Sequence, residues 1–339
     1  MDGRYSRQTL FGPIGEGGQA RLAAAKVAVI GCGALGTAIA ETLVRAGIGE
    51  IIVVDRDYVE LSNLQRQTLF TEADAADMLP KVVAAEKHLR EIRSDAAIRT
   101  HLGNADGPLM ESLASESDLI MDATDNFETR LLINDAANKH GIPWIHGACV
   151  RGSGTVYPFI PGRGACYRCL LPMLPATGAT CDTAGIIPPA VSVTAAIQCA
   201  EAMKWLTGNV AAMRTKVHHF DLWEGTHLDI GVSRIRDPEC ATCGDSPSYP
   251  ELRPRRAGDA AVLCGRDAVQ ILPDPARAVT LDAGEQIGRR IDPNARRTPY
   301  FIEFRAFGHR FVLFGDGRLL IHGARTAEEG KTLYHRLFG

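Results

Sequence analysis

The sequence predicts an α/β protein: a doubly wound, mainly parallel sheet followed by a small C-terminal α+β module. Short β-branched segments alternate with helix-like segments over the first two thirds of the chain. A glycine-rich turn joins the first of these strands to the first of these helices. Residues 245–258 then contain three prolines and few apolar residues, so we place the two domains at residues 1–246 and 247–339.

The opening elements form a βαβ unit. Lys26–Ile30 is a short β-branched run that predicts a buried strand. A helix follows, because Leu35, Ile39 and Leu43 recur at helical spacing. Residues 51–54 give the second strand. Two strands joined by a helix pair in parallel in a βαβ unit.

Later segments continue the alternation. We predict helices at 81–93, 129–140 and 191–206, strands at 118–122, 143–146, 217–223 and 227–235, and a long loop at 172–190. In the tail we predict strands at 300–307, 310–314 and 319–322 and a closing helix at 326–337. An Asp316-Gly317 pair indicates the hairpin turn between the last two strands.

Composition excludes several classes of protein. No run approaches the roughly 20 apolar residues of a membrane helix, and the first residues lack the apolar core of a secretory signal. A net charge of -3 favours neither nucleic acid nor a membrane surface. We therefore expect a cytoplasmic protein with neither as a partner. Residues 247–339 carry 15 Lys/Arg against 11 Asp/Glu, which fits a solvated surface or the docking of an acidic partner.

The glycine-rich turn predicts a nucleotide site. Gly31, Gly33 and Gly36 form a G-x-G-x-x-G directly after a strand and at the start of a helix. Such a turn lets phosphate approach the backbone and the helix N-terminus. Asp55 ends the second strand, where an acid holds ribose hydroxyls. Dinucleotide dehydrogenases share this pattern, and a purely structural glycine turn is the other alternative.

The segment after Asp55 favours ATP chemistry. Asn63, Gln65 and Arg66 cluster within eleven residues of that acid. Hydride transfer has no use for such a cluster. An enzyme that cleaves ATP between its phosphates needs fixed cationic and polar donors for the charge that develops there.

This segment, D-R-D-Y-V-E-L-S-N-L-Q-R-Q at 55–67, resembles the signature of the ubiquitin-activating superfamily, in particular its ThiF/MoeB/HesA branch. Three further motifs match in order: R-Y-S-R-Q at 4–8, a lysine at 81 that opens a helix, and D-A-T-D-N at 122–126. The resemblance covers roughly residues 4–244. It implies a Rossmann-like domain that binds ATP and Mg²⁺.

The resemblance also implies roles for single residues. Arg7 would reach the ATP of a partner subunit, which implies a homodimer, and Lys81 would bind phosphate. Asp125 would hold Mg²⁺, and Asn126 would help shape the site. Taken alone, Arg7 and Lys81 would be ordinary surface charges, and Arg130 fits a structural salt bridge.

Four of the nine cysteines predict a metal site. Cys166 and Cys169 form one C-x-x-C pair, and Cys240 and Cys243 form another. Four thiolates suit a closed, tetrahedral, structural zinc site, which the family also contains. A redox role for either pair is the alternative.

A fifth cysteine is a candidate for the chemistry itself. In the family, a cysteine at the place of Cys181 attacks the acyl-adenylate or takes part in sulfur transfer. The sequence offers no activating base for this thiol, and a loop thiol without a role is the alternative. Cys32, Cys149 and Cys199 lie in apolar contexts and are expected to be core residues.

The resemblance implies ATP-dependent adenylation of the C-terminal glycine carboxylate of a small ubiquitin-like sulfur-carrier protein. The glycine loop, Arg66, Lys81 and Arg7 of the partner subunit would stabilise the phosphates. The activated carboxylate would then become a thiocarboxylate, with a sulfur-donor protein as a further partner. Two alternatives are an NAD-dependent dehydrogenase and a non-catalytic zinc-containing module that binds a carrier.

Overall fold

The computed structural model describes residues 3–173, 184–253, 260–263, 268–272 and 278–339. The chain divides into two compact units, Met1–Pro254 and Arg255–Gly339. The division lies inside the proline-rich stretch 245–258 and later than the predicted boundary at 246. Within the described ranges, no helix has both the length and the apolar character needed to cross a membrane.

The first unit is built on one eight-stranded sheet. Its strands are β1 (Lys26–Ile30), β2 (Glu50–Asp55), β3 (Ala97–Leu102), β4 (Leu119–Asp122), β5 (Trp144–Val150), β6 (Ser153–Phe159), β7 (Lys216–Asp221) and β8 (Thr226–Gly231). Their order is β3-β2-β1-β4-β5-β6-β7-β8. The pairs from β3 to β5 are parallel, and those from β5 to β8 are antiparallel. The predicted doubly wound, mainly parallel sheet is confirmed.

In the ranges that the structure describes, the helices of this unit are α1 (Ser6–Thr9), α2 (Gly15–Ala24), α3 (Ala34–Arg45), α4 (Glu72–Ala76), α5 (Lys81–Ile92), α6 (Gly107–Glu116), α7 (Phe127–His140), α8 (Tyr167–Leu170) and α9 (Pro188–Leu206). They cover both faces of the sheet. In β1, Val27 and Val29 belong to one core cluster, and Ala28 and Ile30 belong to the other. A strand buried on both faces is apolar throughout, which is why the sequence identifies it without alternation.

Several elements of this unit were not predicted. β3 is an edge strand in which every second residue is exposed, so it lacks the apolar run of a central strand. α6 and β6 were also missed. Helix α9 begins at Pro188 rather than 191, because proline is tolerated in the first turn of a helix. The strand predicted at 227–235 ends at Gly231.

The described residues of the second unit form an antiparallel sheet and two helices. Its strands are β9 (Ala260–Leu263), β10 (Ala268–Ile271), β11 (Arg296–Arg297), β12 (Phe301–Ala306), β13 (His309–Phe314) and β14 (Leu319–His322), in the order β11-β12-β13-β14-β10-β9. Its helices are α10 (Leu281–Ile291) and α11 (Ala327–Phe338). Phe304 and Phe311 stack in its core with ring centroids 5.4 Å apart. The predicted α+β module is confirmed, although β9, β10 and α10 were not predicted.

Candidate functional site

The candidate site lies at the carboxyl ends of the parallel strands, where the strand order reverses between β1 and β4. In open α/β sheets this is where ligands bind. The glycine loop follows β1, the segment 55–67 begins at the last residue of β2, and the D-A-T-D-N turn begins at the last residue of β4. The topology therefore brings together three motifs that are far apart in the sequence.

Two glycines of the loop are required by close backbone contacts. Gly31 has φ +97°, and a Cβ on it would lie 2.5 Å from the Ala123 carbonyl oxygen. A Cβ on Gly36 would collide with the carbonyl oxygen of Gly31. Gly33 differs, because a Cβ there would meet only Gln67 Nε2, at 3.8 Å. Gly33 therefore borders open space at the N-terminus of α3, as a phosphate-binding loop requires.

Asp55 connects the glycine loop to the end of β2. Its Oδ2 accepts a hydrogen bond from the Cys32 amide at 2.6 Å, and its Oδ1 accepts one from the Asp57 amide at 2.8 Å. The carboxylate thus holds the loop between Gly31 and Gly33 in place. A ribose-binding role for Asp55 remains a prediction.

Lys81 is buried beside this loop and is not a surface charge. The residue is 2% exposed, and its Nζ lies 3.5 Å from Asp57 Oδ2. Its carbonyl oxygen is 3.8 Å from the Cys32 sulfur. A buried ammonium needs an anionic partner, and here Asp57 supplies it. The main chain at Lys81 thus lies beside the loop while its ammonium pairs with Asp57, and a phosphate-binding role for Lys81 remains a prediction.

The segment between β2 and α4 contributes two more predicted residues. Asn63 is buried, and its Oδ1 accepts a hydrogen bond from the Glu60 amide at 3.3 Å. The Arg66 guanidinium donates to the Ser62 carbonyl at 3.0 Å. These local bonds hold the turn that carries both side chains.

The D-A-T-D-N turn packs directly on the glycine loop through the contact of Ala123 with Gly31. Asn126 is the N-cap of α7, since its Oδ1 accepts a hydrogen bond from the Thr129 amide at 2.8 Å. Asp125 is exposed, and its Oδ1 accepts from Asn126 Nδ2 at 3.2 Å. An exposed carboxylate beside the loop is a suitable ligand for Mg²⁺, which prefers carboxylate oxygens.

A buried network beneath the turn was missed by the sequence reasoning, apart from the salt bridge expected for Arg130. Asp122 is fully buried, and its Oδ2 lies 3.2 Å from Arg130 Nε and 2.7 Å from His146 Nδ1. Its Oδ1 accepts from the amide and hydroxyl of Thr124 at 2.9 and 2.7 Å. Arg130 also donates to the Thr124 carbonyl at 2.6 Å, so it fixes the peptide that precedes Asp125.

The charge states in this network follow from its geometry. Burial alone would raise the pKa of Asp122, but Arg130 and His146 outweigh burial and hold that pKa below its ordinary value. Burial lowers the pKa of His146, and the Asp122 carboxylate opposes this only in part. His146 is therefore neutral near pH 7 and donates its Nδ1 proton to Asp122.

A glutamine on α9 completes the buried network around Asp122. Gln198 is fully buried, and its Nε2 donates to the Asp122 carbonyl at 2.8 Å and to the Ile145 carbonyl at 3.1 Å. It joins the ends of β4 and β5 at the point where they begin to separate. A buried glutamine in an apolar helix was the available signal for this role.

Arg7 is the predicted residue that does not join the site of its own chain. It is exposed on α1. The neighbouring Gln8 binds the Ala46 carbonyl at 2.9 Å and Gln19 at 2.6 Å, just beyond the C-terminal end of α3. The glycine loop lies at the other end of that helix, about 18 Å away for 12 residues.

The four paired cysteines converge into one cluster. Their sulfurs all lie within 4.8 Å of one another. The Cys166–Cys240 and Cys169–Cys243 distances are 3.7 and 3.5 Å, and Cys166–Cys169 is 4.0 Å. Four thiolates around zinc at about 2.3 Å lie about 3.8 Å apart, so the cluster fits a tetrahedral zinc ion.

The other cysteines differ in their surroundings. Cys32 and Cys199 are buried, and burial raises the pKa of both thiols, as expected of core residues. Cys149 is only half-buried. Cys181 lies outside the described residues, as does most of the loop predicted at 172–190.

Comparisons with known proteins identify relatives of this chain. The model of the ThiF family matches residues 5–242. The sulfur carrier protein ThiS adenylyltransferase of Bacillus subtilis is 44% identical over 339 residues, which is 100% of both chains. The sulfur carrier protein adenylyltransferase of Thermus thermophilus is 36% identical over 74% of this chain and 93% of its own. The crystal structure of E. coli MccB aligns with a TM-score of 0.62 and 24% identity over 73% of each chain.

The buried network predicts a pH dependence of stability. A histidine in an unfolded chain has a pKa near 6.5, and folding lowers the pKa of His146. Below about pH 6.5 the unfolded chain therefore binds a proton that the folded chain does not, and stability falls by up to about 1.4 kcal/mol per pH unit. We expect His146→Gln to flatten the fall in urea midpoint between pH 7 and 5.5. The exposed His101→Gln is the control, and an unchanged slope in His146→Gln would contradict the assignment.

Proposed function

The chain belongs to the ThiF family, and on that basis we propose that it uses ATP to adenylate the C-terminal glycine carboxylate of a small ubiquitin-like sulfur-carrier protein. One observation carries the proposal. The D-A-T-D-N turn, the Asp55 carboxylate and the main chain at Lys81 all contact the same short glycine loop at the switch point of the sheet. The full-length similarity to a ThiS adenylyltransferase supports a sulfur-carrier protein as the class of partner.

The residues around the loop have complementary roles in holding ATP. The free amides of the loop and of the α3 N-terminus would bind phosphate oxygens, close to Gly33. Asp55 would bind the ribose, with Asn63 and Asn126 shaping the site. Lys81 and Arg66 supply positive charge. Asp125 would hold Mg²⁺, which neutralises phosphate charge when bound.

The reaction is a displacement at the α-phosphorus of ATP. An oxygen of the carrier's terminal carboxylate attacks in line and forms a new P–O bond. The bond between the α-phosphorus and its bridging oxygen to the β-phosphate breaks, and pyrophosphate leaves with the electron pair. The products are the acyl-adenylate and pyrophosphate. The protein supplies position and fixed positive charge for this step.

The later sulfur step rests on the family resemblance. We propose that sulfur at the oxidation level of sulfide, supplied by a donor protein, attacks the acyl carbon of the acyl-adenylate. A C–S bond forms, the C–O bond to AMP breaks, AMP leaves with the electron pair, and the product is the thiocarboxylate. We propose that Cys181 takes part in this sulfur transfer. A cytoplasmic location is also proposed. The seven cysteines in the described ranges form no disulfide, which fits a reducing compartment.

The position of Arg7 supports a homodimer. Arg7 lies at the far end of α3, about one helix length from the loop of its own chain. We propose that it serves the ATP bound by the second subunit of a symmetric dimer, where a residue remote from one site can approach the other.

Neither alternative gains support from the fold. In an NAD-dependent dehydrogenase, hydride transfer would need neither the buried Lys81 nor the turn on which Asp125 lies. A non-catalytic zinc module would not need either of them beside a glycine loop. The Bacillus subtilis and Thermus thermophilus relatives named above are adenylyltransferases.

Carrier-dependent exchange of radiolabelled pyrophosphate into ATP tests the proposed reaction. We expect exchange with a glycine-tailed sulfur carrier and none with a carrier that lacks its terminal glycine. Asp125→Asn should reduce exchange on the order of 100-fold. The neutral amide would hold Mg²⁺ less tightly than the carboxylate, and the phosphates would lose the cation that neutralises their charge. Glu128→Gln, an exposed acid in the first turn of α7, should retain activity. No exchange with any glycine-tailed carrier would overturn the proposal.

Subunit mixing tests Arg7. Arg7→Ala and Asp125→Ala homodimers should each be nearly inactive. In a mixed dimer, the subunit with intact Asp125 receives Arg7 from its partner, so one of two sites works. Mixing equal amounts under conditions of subunit exchange should restore about a quarter of wild-type exchange activity. If mixing restores nothing while mixed dimers form, Arg7 does not act across the interface.

Metal analysis tests the zinc site. We expect about one zinc per chain in protein purified without chelators. Cys169→Ser should lose most of it and unfold at lower temperature, because the metal joins segments 70 residues apart. Cys149→Ser, outside the cluster, should keep its zinc. A Cys169→Ser protein with full zinc content would refute the assignment.

A further inference from the structure

One buried carboxylate contacts both cysteine pairs. Asp135 lies in the middle of α7 and is fully buried. Its Oδ1 accepts a hydrogen bond from the Thr242 hydroxyl. Its Oδ2 accepts from the Glu251 amide at 3.0 Å and from Arg168 at 3.4 Å. Three donors converge on this side chain from two segments that are distant in the sequence.

Two of these donors come from within the C-x-x-C pairs themselves. Arg168 lies between Cys166 and Cys169, and Thr242 lies between Cys240 and Cys243. The two donors also bind each other, since Arg168 Nε donates to the Thr242 hydroxyl at 2.9 Å.

Two further contacts strengthen the connection between the metal cluster and α7. The Thr242 amide lies 3.4 Å from the Cys240 sulfur, so the residue that binds Asp135 also contacts a thiolate. On the same turn of α7, Asn134 Oδ1 accepts from the Tyr167 amide at 3.0 Å. One helical turn is therefore bonded to the interior of both cysteine pairs.

The other end of α7 lies at the proposed adenylation site. Asn126 caps the helix, and Arg130 holds the Thr124 carbonyl next to Asp125. Asp135 follows Asn126 by nine residues, which is about 14 Å along a helix. A displacement of the cysteine pairs against Asp135 would shift this short, continuous helix as a body and move the turn that presents Asp125.

We propose that Asp135 is a positioning residue that couples the zinc site to the ATP site through α7. The inference rests on the proposed function, because it requires ATP to bind beside Asp125. Zinc holds the two cysteine pairs in the arrangement in which Thr242 and Arg168 bind Asp135. These hydrogen bonds hold α7 in the position from which Asp125 binds the Mg²⁺ of the nucleotide. Without the hydrogen bonds of Asp135, the zinc site and the ATP site are both still present, but binding at one no longer affects binding at the other.

Thermodynamic reciprocity gives a test that does not use activity. If zinc strengthens ATP·Mg²⁺ binding, ATP·Mg²⁺ must strengthen zinc binding by the same factor. We expect saturating ATP·Mg²⁺ to tighten zinc binding about tenfold in the wild-type protein. Zinc affinity is measured by competition with a zinc-selective chelator, and ATP binding by calorimetry on the zinc-loaded protein.

Asp135→Asn should weaken zinc binding about tenfold and abolish the effect of ATP on it. Asp245→Asn is the matched control, because it removes the same charge near the cysteines, whereas the Asp245 carboxylate pairs with Arg236, which lies outside α7. This control should keep the coupling. If Asp135→Asn does not fold, Thr242→Val should reduce the coupling, whereas Thr242→Ser, which keeps the hydroxyl, should retain it.

The possible results separate the two proposals. A wild-type protein that binds no ATP overturns the proposed function and this inference together. ATP binding with unchanged zinc affinity overturns this inference alone. The inference also fails if Asp135→Asn and Thr242→Val both keep the full tenfold coupling, or if Asp245→Asn loses it.

Discussion

The close approach of the D-A-T-D-N turn to the glycine loop is the contact on which the site depends. At Gly31 there is room for a hydrogen and not for a Cβ, since the Ala123 carbonyl oxygen occupies that space. Any side chain at this position would push apart the ends of β1 and β4. The glycine therefore sets the distance between the proposed phosphate-binding loop and the carboxylate of Asp125.

Buried charge keeps this contact in place. Asp122 ends a strand whose residues are otherwise apolar, and such a carboxylate is costly unless it is fully bonded. Arg130, His146 and Thr124 bond it, and Arg130 then binds the Thr124 carbonyl. The cost of burying the ion pair is thus offset by hydrogen bonds that also determine the path of the turn.

The sequence could predict those parts of the site whose functional residues lie close together in the chain. The glycine turn, the D-A-T-D-N motif and the two cysteine pairs each occupy a few consecutive residues, so their chemistry is visible locally. Edge strand β3 was missed because its exposed residues interrupt any apolar run. The exposure of Lys81 was also undecided, because burial depends on Asp57 and on packing that a single sequence does not specify.

The partners of Asp122 and Asp135 were largely beyond prediction for a different reason. His146 and Gln198 reach Asp122 from 24 and 76 residues away, and Thr242 reaches Asp135 from 107. Each looks ordinary in its own segment. Only the fold brings His146 and Thr242 to the two carboxylates and Gln198 to the backbone carbonyl of Asp122.

Whether a residue could be predicted from the sequence depends on its role. Side chains that meet ATP must be accessible from the loop, and a limited set of residue types suits each contact. Residues that hold them need only the right donors in the right place, and many sequences supply these. An apolar residue could fill the volume of Asp122, and replacing a buried ion pair in this way is often neutral or stabilising. It could not, however, bind the Thr124 amide and hydroxyl and orient Arg130 at the same time. We infer that the buried charges are retained for the geometry they impose on the turn, and that stability alone would not require them.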